Sequence, residues 1–170
     1  MGFGLPAAMG AQAAYLDRLV LCVAGDGSIQ MNTQELATAV VEKLPVKVFI
    51  INNRFHGMVR QWQDLFYEGR YASSYLGTVP DFVKLAEAYG ATGIRIQNVS
   101  EMDDGIREAI STPGPVVIDV PVYQFENCYP MIPAGGCNHE MLLADPPELT
   151  KAKTAKKGSA QSDSDTVLTA

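Results

Sequence analysis

The stretch AGDGSIQMN, at residues 24–32, is a polar interruption that follows the almost purely apolar run RLVLCV. It places the carboxylate of Asp26 between Gly25 and Gly27, with the hydroxyl of Ser28 beside it. A carboxylate is a hard oxygen ligand of the kind that Mg²⁺ prefers. Glycine lets the backbone approach a phosphate closely. The chemistry that this cluster could perform is therefore the binding of a divalent cation together with a phosphorylated ligand.

A second polar cluster, INNRFHGMV at residues 51–59, follows a second apolar run, PVKVFI. It begins at Asn52 and Asn53, and 24 residues separate Gly27 from Asn52. If the two runs are neighbouring parallel strands, Asp26 and Asn53 lie at one edge of the sheet, about 4.8 Å or a little more apart. Ligands of open α/β sheets bind at this edge. A helix that follows the cluster would also offer its N-terminal N–H groups to an anion.

Each of the two motifs alone is weak evidence for ligand binding, whereas the two together are specific. An Asp-Gly pair by itself is typical of an ordinary turn, and an Asn-Asn pair indicates still less. Their order and spacing, with one helix and one strand between them, is far more specific. The combination predicts a Mg²⁺–diphosphate site in which carboxylate and amide oxygens share the cation with phosphate oxygens and water.

The elements that must position these clusters are strands and helices in alternation. Caps are predicted at Asp81 and Ser100, and Gly90 is predicted to stop a helix. The alternation predicts an α/β fold, a doubly wound parallel sheet with helices on both faces. The predicted strands are 18–25, 46–51, 93–99 and 114–122, and the predicted helices are 5–16, 31–44, 57–67, 82–89 and 101–110.

Charge and composition divide the chain into a folded part and a tail. We predict one folded domain over residues 1–145 and a disordered tail over residues 146–170. The net charge of −6 consists of −8 over residues 1–150 and +2 over residues 151–170. An acidic folded part does not support nucleic-acid binding.

The sequence also bears on the cellular compartment of the protein. No apolar run reaches the ~20 residues that a membrane-spanning helix needs, and no signal peptide is recognisable at the N-terminus. Cys22, Cys128 and Cys137 are too isolated for a zinc site. We expect them to be reduced thiols in a cytosol-like compartment.

The sequence resembles the thiamine diphosphate enzymes, whose fingerprint is GDG followed by NN at about this distance. The neighbouring motifs narrow the resemblance to the C-terminal, diphosphate-binding domain of acetolactate synthase (acetohydroxyacid synthase) catalytic subunits. These motifs are MGFGLPAAMGAQ, GDGSIQMNTQELATAV, LPVKVFIINN, GMVRQWQDLFYEGRY, PDFVKLAEAYGA and YPMIPAGG. The resemblance covers residues 1 to about 143 and implies the thiamine diphosphate-binding fold with bound thiamine diphosphate and Mg²⁺.

The resemblance implies roles for the residues of the two polar clusters. Asp26 and Asn53 would bind Mg²⁺ through their side chains, and Phe55 would bind it through its backbone carbonyl. A surface-loop position is the alternative for the imidazole of His56. The residues implied to contact the diphosphate are Gly25, Gly27, Ser28, His56 and Gly57.

Four further residues are implied to shape the cofactor and substrate pockets. Met1, which precedes GFGLPAA, would hold thiamine diphosphate in the bent form that brings its 4′-amino group against the thiazolium C2. Met58 and Val59 would pack on the aminopyrimidine ring. Trp62 would shape the pocket of the second substrate and favour 2-oxobutyrate over pyruvate. Without the resemblance, the last three would be assigned to the packing of an amphipathic helix.

The implied reaction is a carboligation in the biosynthesis of isoleucine and valine. Pyruvate loses CO₂, and its remaining two carbons add to a second 2-oxo acid, pyruvate or 2-oxobutyrate, which gives an acetohydroxy acid. The activating glutamate is expected on a separate N-terminal domain across a dimer interface, and a middle domain would bind FAD. Neither domain lies in this sequence, so we predict no catalytic residue in this chain.

The resemblance also implies partners and a location. We expect a homodimer or tetramer of a longer chain, a regulatory small subunit as a further partner, and no nucleic acid or membrane. The location would be the bacterial cytoplasm, or an organelle matrix such as a plastid. Two alternatives stay open: an inert truncated module that binds the cofactor, and a different thiamine diphosphate-dependent 2-oxo acid decarboxylase or carboligase. The GMVRQWQ helix argues against the last of these.

Overall fold

The structure is a computed structural model that describes residues 1–150. Residues 147–150 have helical backbone geometry. The rest of the predicted tail, from residue 151 onward, lies outside the described residues. Within the described part of the chain, no helix is long and apolar enough to cross a bilayer.

The described part of the chain divides into two compact units. The first unit consists of Met1–His56 with Tyr75–Gln124, and the second consists of Gly57–Ser74 with residues 125–150. The helices and strands are α1 (Gly4–Ala14), β1 (Leu21–Gly25), α2 (Asp26–Ile29), α3 (Glu35–Val41), β2 (Lys47–Asn52), α4 (Gly57–Phe66), α5 (Phe82–Tyr89), β3 (Thr92–Arg95), α6 (Met102–Ser111) and β4 (Val116–Pro121).

The first unit is built on a four-stranded sheet in the order β1-β2-β4-β3, and every pair of neighbouring strands is parallel. Side chains of β4 alternate between two apolar cores. Val117 belongs to the core formed with α1, α3 and α5, whereas Val116, Ile118 and Val120 belong to the core formed with α6. Each such buried side chain contributes about 1.5–3 kcal/mol. Helices therefore cover both faces of a parallel sheet, which confirms the predicted fold class.

The helix predicted over residues 31–44 is shorter in the structure, where α3 spans Glu35–Val41 and a separate short helix, α2, precedes it at Asp26–Ile29. The chain forms α2 directly after β1. Turns follow in which a backbone N–H donates to the carbonyl three residues earlier, and α3 begins only at Glu35. Before α3, the Asn32 side chain donates to the carbonyl of Gly2 at 2.9 Å. The helix ends at Val41 because Lys43 adopts a left-handed conformation with φ 53°.

Other differences at element ends have identifiable causes. Helix α1 ends at Ala14 rather than residue 16, since the Gln12 amide donates to the carbonyls of Tyr15 and Arg18, each at 2.9 Å. Strand β3 ends at Arg95 rather than residue 99. The N–H of Ile96 still donates to the carbonyl of Asp119 on β4 at 3.0 Å, but the N–H groups of Gln97 and Asn98 donate to the carboxylate of Glu101.

The predicted cap at Ser100 was wrong. A capping box between Asn98 and Glu101 starts the turn that leads into α6, and the Glu101 carboxylate accepts from the N–H groups of Gln97 and Asn98. The other caps are confirmed. Asp81 accepts from two N–H groups of the first turn of α5, and Gly90 ends that helix with φ 85°.

The second unit packs α4 against the segment that begins at Phe125. Its helix buries polar side chains: Arg60 and Gln61 are at most 1% exposed. Arg60 donates to Asp64 at 2.5 Å and to the carbonyl of Glu126 at 2.7 Å. Gln61 exchanges two 2.9 Å hydrogen bonds with the backbone of Cys128. These bonds satisfy buried polar groups that would otherwise be costly.

Candidate functional site

The two polar clusters of the first unit meet at the carboxyl ends of β1 and β2. Gly25, the last residue of β1, is the register partner of Ile51, so Asp26 follows β1 at the level where Asn52 ends β2. Asp26 begins α2 and is 1% exposed. Its Oδ1 accepts from the N–H of Gly27 at 2.9 Å, whereas its Oδ2 has no partner among the described residues. A buried carboxylate oxygen is thus left free at the sheet edge.

The electrostatics of Asp26 reflect this burial. Desolvation raises the pKa of its carboxyl above the ordinary value of 3.8, against the opposing effect of the backbone N–H groups of Gly27 and Arg54 and of nearby His56. Since burial disfavours the charged form, a bound cation would compensate for the cost of ionising Asp26.

The chain after β2 is shaped by its own side chains. The Oδ1 of Asn53 accepts from the N–H of Phe55 at 3.0 Å. Between them, Arg54 adopts a left-handed conformation with φ 56°, and its carbonyl accepts from the N–H of Leu76 at 2.8 Å. The amide oxygen of Asn53 has a second lone pair, so this turn is compatible with a further ligand on the same atom. Phe55 packs on Tyr75, with 5.0 Å between ring centroids.

Gly27 and His56 connect the two clusters directly. A Cβ atom on Gly27 would lie 2.7 Å from both Cε1 and Nδ1 of the His56 ring. The imidazole therefore packs against the backbone of the GDG turn. Sequence analysis assigned only backbone roles at these positions, because a contact across 29 residues leaves no local signal.

Ser28 contacts the N-terminal segment. Its Oγ accepts from the N–H of Gly2 at 3.0 Å, and the hydroxyl hydrogen remains available as a donor. Gly2 has φ 77°, and a Cβ there would come within 3.1 Å of Met31. The preceding Met1 is 70% exposed. The structure thus brings the backbone after Met1 to the GDG turn and leaves the Met1 side chain in solvent.

A polar side chain that sequence analysis missed supports this edge from β4. Asp119 interrupts the apolar strand VVIDVP, and it is 3% exposed. Its Oδ1 accepts from the Nδ2 of Asn52 at 3.0 Å. The signal that could have found it is a single carboxylate inside an otherwise apolar strand, since such a group needs a partner when it is buried.

The remaining predicted residues, Gly57, Met58, Val59 and Trp62, lie in the second unit on α4. Met58 and Val59 are half exposed, at 55% and 50%. With Trp62, Gln63 and Tyr67 they line an open apolar depression of about 400 Å³. Because α4 buries its polar side and exposes this apolar one, its packing is the reverse of an ordinary amphipathic helix. The exposed apolar side is suited to contact a ligand or another chain.

The donor set at the sheet edge fits a hard divalent cation. Among the described residues, no three His, Cys, Asp or Glu side chains form a group that could hold a metal. The edge instead offers the free carboxylate oxygen of Asp26, the amide oxygen of Asn53 and nearby backbone carbonyls. Mg²⁺ is commonly held by one or two carboxylates together with substrate phosphates and water. These residues therefore fit Mg²⁺ bound with a diphosphate, and they do not fit zinc.

Comparisons with known proteins agree with this chemistry. The family described as "Thiamine pyrophosphate enzyme, C-terminal TPP binding domain" matches residues 1–120. Among solved structures, the thiamine diphosphate-dependent 4-hydroxybenzoylformate decarboxylase of Rhodococcus jostii RHA1 is similar with a TM-score of 0.69 and 34% identity. That similarity covers 75% of this chain and 24% of the decarboxylase.

Curated relatives are acetolactate synthase large subunits. That of Parasynechococcus marenigrum (strain WH8102) is 51% identical over 156 residues, which are 91% of this chain and 25% of the relative. Isozyme 3 of Escherichia coli (strain K12) is 50% identical over 147 residues, 85% of this chain and 26% of the relative. The chain thus spans about a quarter of the length of these relatives. With a family match over most of its length and a sheet edge of the required chemistry, the chain belongs to the thiamine pyrophosphate enzymes and corresponds to their C-terminal TPP-binding domain.

Proposed function

We propose that the sheet edge of the first unit binds thiamine diphosphate through Mg²⁺. The observation that carries the proposal is the buried carboxylate of Asp26, one oxygen of which has no partner among the described residues. Asp26 and Asn53 would bind the cation through side-chain oxygens, and Phe55 through its backbone carbonyl. The N–H groups and hydroxyl of the turn after Asp26, at Gly27 and Ser28, would hold the diphosphate.

The bound cofactor would supply the electron sink that allows a 2-oxo acid to lose CO₂. This chain's own residues bind and orient it. Gly25 leaves room for the cofactor to approach the backbone, since a Cβ there would meet nothing within 4 Å. Met58 and Val59, on α4, would pack on the aminopyrimidine ring. Met1 would support the bent form of the cofactor, and His56 and Gly57 would donate backbone N–H groups near the diphosphate.

We further propose that the complete protein is an acetolactate synthase. Relatives at 50% and 51% identity carry that name, and they are about four times as long as the matched segment. The activity is the carboligation of pyruvate with pyruvate or 2-oxobutyrate. The activating glutamate and the FAD site would lie in the rest of the complete protein, which would assemble as a dimer or tetramer with a regulatory small subunit. We place it in the bacterial cytoplasm or in a plastid.

One observation supports a second candidate, a thiamine diphosphate-dependent 2-oxo acid decarboxylase. The similar solved structure is a decarboxylase with 34% identity over the aligned residues. The greater identity to acetolactate synthases, 51% over 156 residues, favours carboligation. The two candidates differ in product: the complete enzyme given pyruvate alone would release acetolactate in the first case and acetaldehyde in the second.

Cofactor binding can be tested with the 170-residue chain itself. Isothermal titration calorimetry with thiamine diphosphate should give saturable binding that requires Mg²⁺. Asp26→Ala should abolish it, because the change removes the charged oxygen ligand. Asp17→Ala, which removes an exposed carboxylate after α1, is the matched control and should bind as the unmodified chain does. Mg²⁺-dependent binding that survives Asp26→Ala would overturn the proposed site.

A further inference from the structure

Four polar side chains form a continuous hydrogen-bonded row across the carboxyl ends of β2, β4 and β3. The row runs from Asn52 to Asp119, then to Arg95, and ends at Asp81 before α5. Arg95 and Asp119 are register partners on β3 and β4. Such a row is unusual in this sheet, because the preceding residues of β2 and β4 on the same face are apolar and buried.

Asp119 is the centre of the row. Its side chain is 4% exposed and uses each oxygen for a different partner. Oδ1 accepts from the amide of Asn52 at 3.0 Å, and Oδ2 accepts from Nε of Arg95 at 3.1 Å. A carboxylate that is buried without partners costs several kcal/mol, so both bonds are required for Asp119 to remain inside the sheet.

Arg95 is held at its other end by the cap of α5. Its Nη2 donates to Oδ1 of Asp81 at 2.7 Å, and that oxygen also accepts from the N–H groups of Val83 and Lys84. The guanidinium therefore joins a carboxylate fixed by a helix N-terminus to a carboxylate fixed in a strand. Arginine suits this position because its planar group presents several donors in a rigid arrangement.

Asn52 is constrained from two sides by this arrangement. Its side-chain Nδ2 is bound to Asp119, and its backbone carbonyl accepts from the N–H of Val122 at 3.0 Å. Its side-chain Oδ1 is buried and has no partner among the described residues. The orientation of a side-chain amide follows from its hydrogen-bond partners. For the Asn52 side chain, that partner is the carboxylate of Asp119. Asp119 thus sets the orientation of the amide immediately before Asn53.

We propose that Asp119 and Arg95 are positioning residues for the metal-binding end of β2. The row Asp81–Arg95–Asp119–Asn52 fixes the point where β2 ends, and it thereby places Asn53 for the cation. This inference rests on the proposed function, in which Asn53 is a Mg²⁺ ligand. None of the three charged members is among the proposed ligands of the cation or the diphosphate.

A positioning role has a different signature from a purely structural one. Loss of a residue that orients a metal ligand typically weakens metal affinity by about 10–100-fold. A purely structural residue would lower the unfolding temperature and weaken every ligand alike. Two measurements therefore distinguish a positioning role from a structural one. They are the Mg²⁺ concentration at half-saturation and the affinity for thiamine diphosphate when Mg²⁺ is saturating.

The principal variant is Asp119→Asn, which keeps the shape of the side chain and removes its charge. In the 170-residue chain we expect the Mg²⁺ half-saturation concentration to rise about 10–100-fold, with the thiamine diphosphate affinity at saturating Mg²⁺ within about twofold of the original. Arg95→Met should act in the same direction and Arg95→Lys should partly restore the affinity. Asp104→Asn, an exposed acid-to-amide change on α6, is the matched control.

A second measurement tests the inference without the cofactor. Hydrogen exchange in the free chain should become faster at the N–H groups of Val122 and Phe55 in Asp119→Asn, and it should not change in Asp104→Asn. Unchanged exchange at both amides would overturn the positioning role, whether or not the chain binds the cofactor. Faster exchange in a chain that never binds Mg²⁺ with thiamine diphosphate would support the row and overturn the proposed function instead.

Discussion

At the scale of single residues, burial makes the ionisation of Asp26 unfavourable, and a bound cation would offset that free energy. The carboxylate lies almost entirely inside the first unit, and only one of its oxygens is hydrogen-bonded within the described residues. Desolvation raises the pKa of the carboxyl. For such a group, stability is greatest when the carboxyl is protonated and is lost as pH rises through the folded-state pKa. At neutral pH the ionised form therefore lowers the free energy of unfolding of the ligand-free chain.

This cost predicts opposite effects of one substitution on stability and on binding. Asp26→Asn should raise the free energy of unfolding at pH 7 by about 1 kcal/mol and abolish Mg²⁺-dependent binding. The gain in stability should shrink as the pH falls toward 3.8, the ordinary value of the carboxyl, because the unmodified side chain then becomes neutral. Urea denaturation at pH 7 and pH 4 measures the difference. A variant less stable than the original at pH 7 would contradict this account of Asp26.

The two glycines beside Asp26 are expected to respond differently to alanine. Gly27→Ala places a Cβ 2.7 Å from the His56 ring, and such overpacking typically costs about 1–3 kcal/mol of stability. Adding His56→Ala should recover most of that loss. Gly25→Ala meets nothing within 4 Å, so stability should hold while thiamine diphosphate binding weakens. Urea denaturation and calorimetry of the three variants check this, and equal losses of stability for both glycines would contradict it.

At the scale of elements, α4 inverts the usual arrangement of a surface helix. Its polar side chains are buried in the second unit, where Arg60, Gln61 and Asp64 bind one another or the segment after Phe125. Its apolar side chains are exposed, and Trp62 contacts Phe66 edge to face at 5.3 Å. The position of the helix, Gly57–Phe66, could be predicted from its periodicity. Which side is buried could not, because two of the groups that Arg60 binds, the carbonyl of Glu126 and the side chain of Asn127, are 66 and 67 residues away in sequence.

The hydroxyl of Tyr71 adds a pH dependence to this unit. It donates to Asp64, and burial together with that carboxylate raises the pKa of Tyr71 to about 12. A raised pKa means that the stabilisation is present below pH 10, the ordinary value, and is lost as the pH rises to about 12. Tyr71→Phe should therefore reduce the loss of stability between these two pH values.

Urea denaturation at pH 9 and pH 11 measures this effect, with Tyr67→Phe as the control. Tyr67 is 52% exposed and lines the apolar depression. Below pH 10, Tyr71→Phe should cost about 1 kcal/mol of stability for the lost hydrogen bond, and Tyr67→Phe should cost little. An alkaline loss of stability that is the same in both variants would remove Tyr71 as its source.

The elements also show how far sequence reasoning reaches. The alternation of strands and helices and the cap at Asp81 are local patterns, and each identified its feature. The order of the two polar clusters also identified their place, at the carboxyl ends of the neighbouring parallel strands β1 and β2. The late start of α3 and the cap at Asn98 escaped prediction. Asn32 bonds Gly2, 30 residues away, and the Glu101 carboxylate accepts from the N–H groups of Gln97 and Asn98, which the pattern assigned to a strand. Asp119 escaped because its partners lie on two other strands, 67 and 24 residues away.

At the scale of the whole molecule, the chain corresponds to one part of its longer relatives. It spans 25% of the relative with which it shares 51% identity. In the proposed function, the activating glutamate lies in the rest of the complete protein. The 170-residue chain should accordingly bind the cofactor without turning over pyruvate, which a coupled assay for CO₂ release measures. Turnover by the chain alone would show that its own residues activate the cofactor.

Substrate choice is predicted for the proposed complete enzyme. Trp62 lies on the exposed apolar side of α4 and is 36% exposed, so it is available to contact a second substrate. Trp62→Leu in the complete enzyme should lower the preference for 2-oxobutyrate over pyruvate by about 10-fold, since the loss of apolar contact is worth 1–3 kcal/mol. Competition between the two acids, with both products quantified, measures it. An unaltered product ratio would count against the acetolactate synthase assignment.

The most direct test of the central claim replaces Mg²⁺ by paramagnetic Mn²⁺, which takes the same oxygen ligands. In nuclear magnetic resonance spectra of the ¹⁵N-labelled chain with thiamine diphosphate, Mn²⁺ should broaden the amide signals of residues 26–28 and 52–56 first. It should do so at lower concentrations when thiamine diphosphate is present than when it is absent. Broadening that begins at other acidic residues, or that ignores the cofactor, would contradict a Mg²⁺–diphosphate site at the edge formed by Asp26 and Asn53.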